Sequence, residues 1–173
     1  EMDVVKNLKI SPFLKIASTV ALSGVVCLWS LPAFAEIFLN LGNSQFQNHC
    51  LNVRGDNGAV TVESRPHTGC NWSIIPKGNG RYQIANLGNS KYNGWLLNVR
   101  GDNGRVTVER GEYSGTYWTL APKGNDRYQM VNLGNSPYKG WVLNVAGNSG
   151  TVTVMPSTPE YSGTFWKISR WAY

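Results

Sequence analysis

One block of five residues constrains this chain more than anything else in it. Asn40-Leu41-Gly42-Asn43-Ser44 returns at 86–90 and again at 132–136, 46 residues apart each time. Other blocks keep the same register. Leu51-Asn52-Val53 recurs as Leu97-Asn98-Val99 and Leu143-Asn144-Val145, and Val60-Thr61-Val62 as Val106-Thr107-Val108 and Val152-Thr153-Val154. Trp72, Trp118 and Trp166 stand at matching places, and Pro76-Lys77-Gly78-Asn79 is matched at 122–125. The third copy carries two extra residues ahead of its Trp. The copies tile the chain as 36–81, 82–127 and 128–173. Self-similarity at a fixed period means that one supersecondary unit, unable to bury its apolar face alone, is stacked against its own copies.

Each copy reads as four short strands. In the second they are expected near 81–86, 95–100, 105–109 and 117–121. Tyr82/Ile84, Leu97/Val99, Val106/Val108 and Trp118/Leu120 alternate there with polar or small residues. That is the period of two of half-buried strands. Gly101-Asp102-Asn103-Gly104 predicts a hairpin turn, and Lys123-Gly124-Asn125-Asp126 a link between copies, because Gly, Asn and Asp tolerate positive φ. Beyond residue 35 no segment has helical periodicity.

Twelve strands in three equal units leave few architectures. Propellers typically need at least four blades, and a solenoid wants capping repeats and more copies. Three units closing on a threefold axis make an all-β fold, the β-trefoil, with Trp72, Trp118 and Trp166 as a ring of core side chains. Only 15% of the residues are charged, while Gly numbers 19 and Trp seven. Few charges exclude a charged disordered chain or a coiled coil, and abundant Gly suits many tight turns.

The order Leu-Asn-Val, Gly/Asn turn, Val-Thr-Val, Trp resembles the ricin-B-type lectins, whose pattern is Leu-Asp-Val, a turn, Val-x-Leu and Gln-x-Trp. The resemblance covers 36–173 and implies non-catalytic sugar binding. In that family the Asp of the first block accepts hydrogen bonds from sugar hydroxyls, and the matching positions are Asn52, Asn98 and Asn144. The family's Gln-x-Trp becomes Cys70-Asn71-Trp72, Thr116-Tyr117-Trp118 and Thr164-Phe165-Trp166. Its stacking aromatic at the end of the third strand is replaced by Glu63, Glu109 and Met155.

Sugar binding needs a planar face for stacking and polar groups that both donate and accept. By alternation Asn98 points away from Leu97 and Val99 and is expected to face outward, beside Thr107 and Glu109 of the next strand. Tyr113, in the loop before the fourth strand, supplies a ring in place of the missing aromatic. Asn98, Thr107, Glu109 and Tyr113 therefore make the best candidate site. Asn144 with Tyr161 makes a second, and Asn52 with Glu63 and His67 a weaker third. The plainer alternative is that Asn98 caps a hairpin and Tyr113 covers the barrel edge. Trp95 and Trp141 are expected as a lid on the barrel; as exposed platforms they would instead serve protein partners or self-association. Arg54 and Arg100 are read as turn charges, with acidic sugars as their alternative. Cys50 and Cys70 either form a disulfide, closing a loop of about 20 residues at a gain of about 3 kcal/mol, or stay two buried thiols.

Residues 1–35 are of a different kind. Lys6, Lys9 and Lys15 precede the apolar run 16–31, and Ala33-Phe34-Ala35 follows Pro32. Basic start, apolar core and small-x-small site make an N-terminal leader helix with the order of a cleaved signal peptide; the alternative is a retained membrane anchor. Either way the trefoil is expected outside the cytoplasm: secreted or periplasmic if the leader is cut, membrane-anchored and facing outward if it is kept. Without the leader the net charge falls only from +6 to +5, with no run of like charges. That argues against nucleic acid as a partner. His49 and His67 lack metal-ligand spacing, no Gly-x-Ser-x-Gly or phosphate loop is present, and Glu63 and Glu109 stand on equivalent strands too far apart for a glycosidase pair, so no metal, no cofactor and no enzyme activity is expected. The expected partner is a glycan or glycoconjugate. The alternative function is a scaffold subunit of an extracellular or membrane-associated assembly.

Overall fold

The computed structural model describes residues 35–64 and 66–170. The expected leader helix, with its signal or anchor role, falls outside them. Each unit contributes four strands. The first has β1 Glu36–Asn40, β2 Cys50–Val53, β3 Val60–Glu63 and β4 Trp72–Pro76. The second has β5 Tyr82–Asn86, β6 Leu96–Val99, β7 Val106–Glu109 and β8 Trp118–Pro122. The third has β9 Tyr128–Asn132, β10 Val142–Val145, β11 Val152–Met155 and β12 Trp166–Arg170. The strands lie within one or two residues of their expected places. A three-residue 3-10 turn precedes the last strand of each unit: Thr68–Cys70, Ser114–Thr116 and Ser162–Thr164.

All pairing is antiparallel. β1, β4, β5, β8, β9 and β12 close into a ring, long hairpins alternating with single-pair joints at Glu36↔Trp72, Tyr82↔Trp118 and Tyr128↔Trp166. Closure removes the exposed edges that make open sheets sticky. The hairpins β2–β3, β6–β7 and β10–β11 each hang from the ring by one pair: Leu39↔Cys50, Ala85↔Leu96 and Val131↔Val142. Their outer strands β3, β7 and β11 meet one another around the axis. This is the β-trefoil that the repeat implies.

The core is threefold in position but not in identity. Phe38, Ile84 and Met130 occupy one equivalent site, all fully buried. Trp72, Trp118 and Trp166 are fully buried as expected, and each ring N–H donates to a backbone carbonyl: Leu51 at 2.9 Å, Leu97 at 2.9 Å and Leu143 at 3.1 Å. Each indole is thus buried without an orphaned donor.

Two other features close the unit ends. Trp95 and Trp141 are half-buried against the core, edge-on to Tyr92 at 4.9 Å and to Tyr138 at 5.0 Å. They sit as the expected lid, and the first unit uses Phe46 and His49 there. Cys50 and Cys70 form a disulfide in a small apolar cluster with Ile37. The other units place a hydrogen bond at that point: Gln83 donates to Thr116 and Gln129 to Thr164, both at 3.0 Å. The turn expectation needs one correction. In Gly101-Asp102-Asn103-Gly104 only Gly104 has positive φ. Asn103 instead accepts from the Arg105 amide at 3.0 Å, so its side chain, not its φ, closes the turn.

Candidate functional site

Each unit opens one cleft, and the expected residues gather in them. Cleft I, about 360 Å³, is lined by Asn52, Arg54, Asp56, Glu63 and His67. Cleft II, about 460 Å³, is lined by Asn98, Arg100, Asp102, Glu109 and Tyr113. Cleft III, about 310 Å³, is lined by Asn144, Ala146, Asn148, Met155 and Tyr161.

The floor comes from β6 and β7 in cleft II and from their equivalents elsewhere. Asn98 and Thr107 are cross-strand partners, so their side chains stand side by side. Asn98 Nδ2 donates to Thr107 Oγ1 at 3.1 Å, and Thr107 Oγ1 donates to Glu109 Oε1 at 3.0 Å. Cleft I repeats the relay through Asn52, Thr61 and Glu63, at 3.1 Å for each step. Cleft III keeps only Asn144 to Thr153, at 3.3 Å, because Met155 ends the strand.

The expectation that these Asn residues face solvent is wrong. Asn52, Asn98 and Asn144 keep only 5%, 4% and 8% of their surface exposed. Alternation does turn them away from Leu97 and its equivalents. What covers them is the 3-10 turn of the same unit. A Cβ on Gly115 would collide with the Val99 carbonyl oxygen and lie 2.6 Å from Asn98 Oδ1. Gly69 and Gly163 approach Asn52 and Asn144 in the same way. Only glycine lets the turn come this close. Asn98 Oδ1 is left buried with no hydrogen-bond partner. In cleft I the Cys70 sulfur lies 3.8 Å from Asn52 Oδ1.

The far wall was not foreseen. It comes from the next unit, from the very Asn-Leu-Gly-Asn-Ser block that marks the repeat. Asn89 and Ser90 line cleft I, Asn135 and Ser136 cleft II, and Asn43 and Ser44 cleft III. The first Asn of the block holds the wall in place. Buried Asn132 donates to the Gly115 carbonyl at 2.8 Å and accepts from the Gly134 amide at 3.0 Å. Asn86 does the same with Gly69 and Gly88, and Asn40 with Gly163 and Gly42. Thr68 donates to Asn89 at 2.7 Å, Ser114 accepts from the Asn135 amide at 3.1 Å, and Ser162 donates to Asn43 at 2.5 Å. Since Asn43 belongs to the first unit, cleft III exists only because the chain closes on itself. The invariance of the block across all three copies was the one sequence signal of its role.

The rim differs between clefts. Tyr113 is 59% exposed and Tyr161 49%, and they are the large exposed hydrophobics of the described residues. Cleft I has exposed His67 there. Arg100 reaches Asp102 with two hydrogen bonds of 3.2 Å, and Arg54 reaches Asp56 at 3.3 and 3.4 Å. The Arg100 hydrogen bond and charge hold the Asp102 carboxyl below its ordinary range. Asp102 first, and Glu109 more weakly, push Arg100 up in turn. Among the described residues no three His, Cys, Asp or Glu side chains cluster as a metal site.

No family model and no curated protein matches the chain. Solved structures do. The designed three-fold symmetric protein ThreeFoil superposes with a TM-score of 0.61 at 17% identity, over 78% of this chain and 96% of its own. SeviL bound to an asialo-GM1 saccharide gives 0.61 at 16% identity, over 82% and 99%. The lectin of Polyporus squamosus, bound to a Neu5Ac-Gal-GlcNAc epitope, gives 0.62 at 15% identity, over 82% of this chain and 50% of its own. At these identities the likeness shows the fold, a β-trefoil.

Proposed function

We propose that this protein binds carbohydrate without transforming it, through up to three shallow clefts that repeat around the trefoil axis. One observation carries the reading: in cleft II an exposed tyrosine ring, Tyr113, stands at the edge of a polar floor in which Asn98 and Glu109 are linked through Thr107. A pyranose presents one apolar face and a fringe of hydroxyls, and that is the complement of a ring beside donors and acceptors. Asn98 orders the floor from below through Thr107, rather than meeting the sugar at the surface. SeviL and the Polyporus squamosus lectin, which share the fold, are both seen with saccharides bound. The carboxylates of clefts I and II are already engaged, Glu63 and Glu109 by threonine and Asp56 and Asp102 by arginine. Such groups hold a ligand better than they transfer protons.

Each cleft alone binds weakly. Three clefts on one rigid body raise the apparent affinity for a displayed glycan by roughly 10²–10⁴. A disulfide persists in oxidising compartments, and Cys50–Cys70 supports a place outside the cytoplasm. Among the described residues no helix is long and apolar enough to cross a membrane.

The test is a glycan array probed with the wild type and with a Tyr113→Ala, Tyr161→Ala double variant. Specific signal in the first and its loss in the second, at unchanged thermal stability, supports the reading. No glycan bound by the wild type ends it. The mass of the exported protein settles the leader, since a start at Glu36 excludes an anchor.

A further inference from the structure

The clefts share a skeleton but not a charge. The residue after the second strand is Arg54 in cleft I, Arg100 in cleft II and Ala146 in cleft III. Two positions on stand Asp56, Asp102 and Asn148, and the third strand ends in Glu63, Glu109 and Met155. Among the described residues, clefts I and II are therefore lined by one cation and two carboxylates each, and cleft III by no charged side chain. The cations are committed, since Arg54 and Arg100 each pair with the Asp two residues on. The second carboxylate, Glu63 or Glu109, accepts from a threonine hydroxyl but has no ion pair among the described residues, and Glu109 feels the Arg100 charge only weakly. The chain as a whole is +6, so the local sign in these two clefts opposes the global one.

Resting on the carbohydrate reading above, we infer that the clefts sort sugars by charge: I and II take neutral or amino sugars and reject uronic acids, while III accepts sugars of either kind. A carboxylate on the sugar, about 6 Å from a Glu carboxylate in a half-wet cleft of net negative lining, meets a repulsion worth about three- to tenfold in affinity. The same geometry favours a protonated sugar amine by a similar factor. The protein's net positive charge draws an acidic glycan in from a distance, and its acidic residue then settles in cleft III. Salt screens both effects over about 8–10 Å.

The experiment uses the whole chain labelled with nitrogen-15. The amides of Gly69, Gly115 and Gly163 each report on one cleft. The probes are galactose with galacturonic acid, glucose with glucuronic acid, and glucosamine, at low salt and again with 0.5 M sodium chloride. The expected result is that uronic acids shift Gly163 at the concentrations of their neutral parents, yet need three- to tenfold more to shift Gly69 and Gly115. Glucosamine should show the reverse preference, and salt should narrow both gaps. Glu109→Gln, which keeps an acceptor for Thr107, should abolish the discrimination at Gly115. Met155→Glu should create it at Gly163. Uronic acids shifting Gly115 as readily as their neutral parents would overturn the charge sorting and leave the carbohydrate reading standing. If no sugar moves any of the three glycines, the carbohydrate reading falls and the sorting falls with it.

Discussion

Clefts II and III invite direct comparison because their skeletons coincide. Both have an Asn–Thr pair on the floor, a glycine pressed onto that Asn, a tyrosine at the rim and an Asn-Ser wall from the next unit. Cleft II then adds Arg100, Asp102 and Glu109, where cleft III has Ala146, Asn148 and Met155. The residues that set the backbone are the ones copied. The charged residues of the lining are the ones that vary. The core behaves likewise: three tryptophans are copied because each must fill a slot and reach a carbonyl, while Phe38, Ile84 and Met130 share one slot that asks only for bulk. Chemistry that depends on geometry resists change between copies, and chemistry that depends on volume or charge tolerates it.

Four measurements bear on how far the copies are equivalent. The largest effect belongs to the shared skeleton. Trp118→Ala and Trp166→Ala should each cost about 4 kcal/mol in chemical denaturation, and a difference above about 1 kcal/mol between them would show that the units do not share load equally. Gly115→Ala should come next, at about 3 kcal/mol, because the new methyl must displace the Val99 carbonyl and Asn98. Its mark is selectivity: cleft II should lose its ligand while Gly163 still reports a competent cleft III.

Removing a rim ring should leave the fold almost untouched. Tyr113→Ala should shift stability by less than about 0.5 kcal/mol yet empty cleft II, and Tyr161→Ala should do the same for cleft III. A large loss of stability in either would return the ring to a structural role. The smallest effect is electrostatic. The Asp102 carboxyl is lowered by Arg100, so its stabilisation is present above the unfolded carboxylate value and is lost as pH falls through the lower folded one. A carbon-13 titration of that carboxyl should give a midpoint below the ordinary 3.8. No carboxylate lines cleft III among the described residues, so its Gly163 signal should move less through the same range than Gly115 does.

Much of this is legible along the chain. The period of 46 residues, the alternation within each block and the tryptophan per copy lead to twelve strands on a threefold axis. The gathering of Asn98, Glu109 and Tyr113 at one cleft follows from adjacent strands and a short loop. Two things were not legible. Alternation tells which way Asn98 points, but not that a turn 17 residues on lies over it, since nothing local links Gly115 to Asn98. The wall supplied by Asn135 and Ser136 belongs to another copy, and its block reads as a register mark rather than a surface.

The number of units, their strands and their core are therefore already set along the chain, because periodicity and apolar pattern are written residue by residue. The charge difference between copies is set there too. Tertiary structure alone decided that each cleft is made of two units. Closing the ring brings Asn43 against Ser162, 119 residues away, and no pattern within a unit encodes that contact. It follows from the closed barrel, in which no strand is left unpaired and the third unit has only the first to lean on.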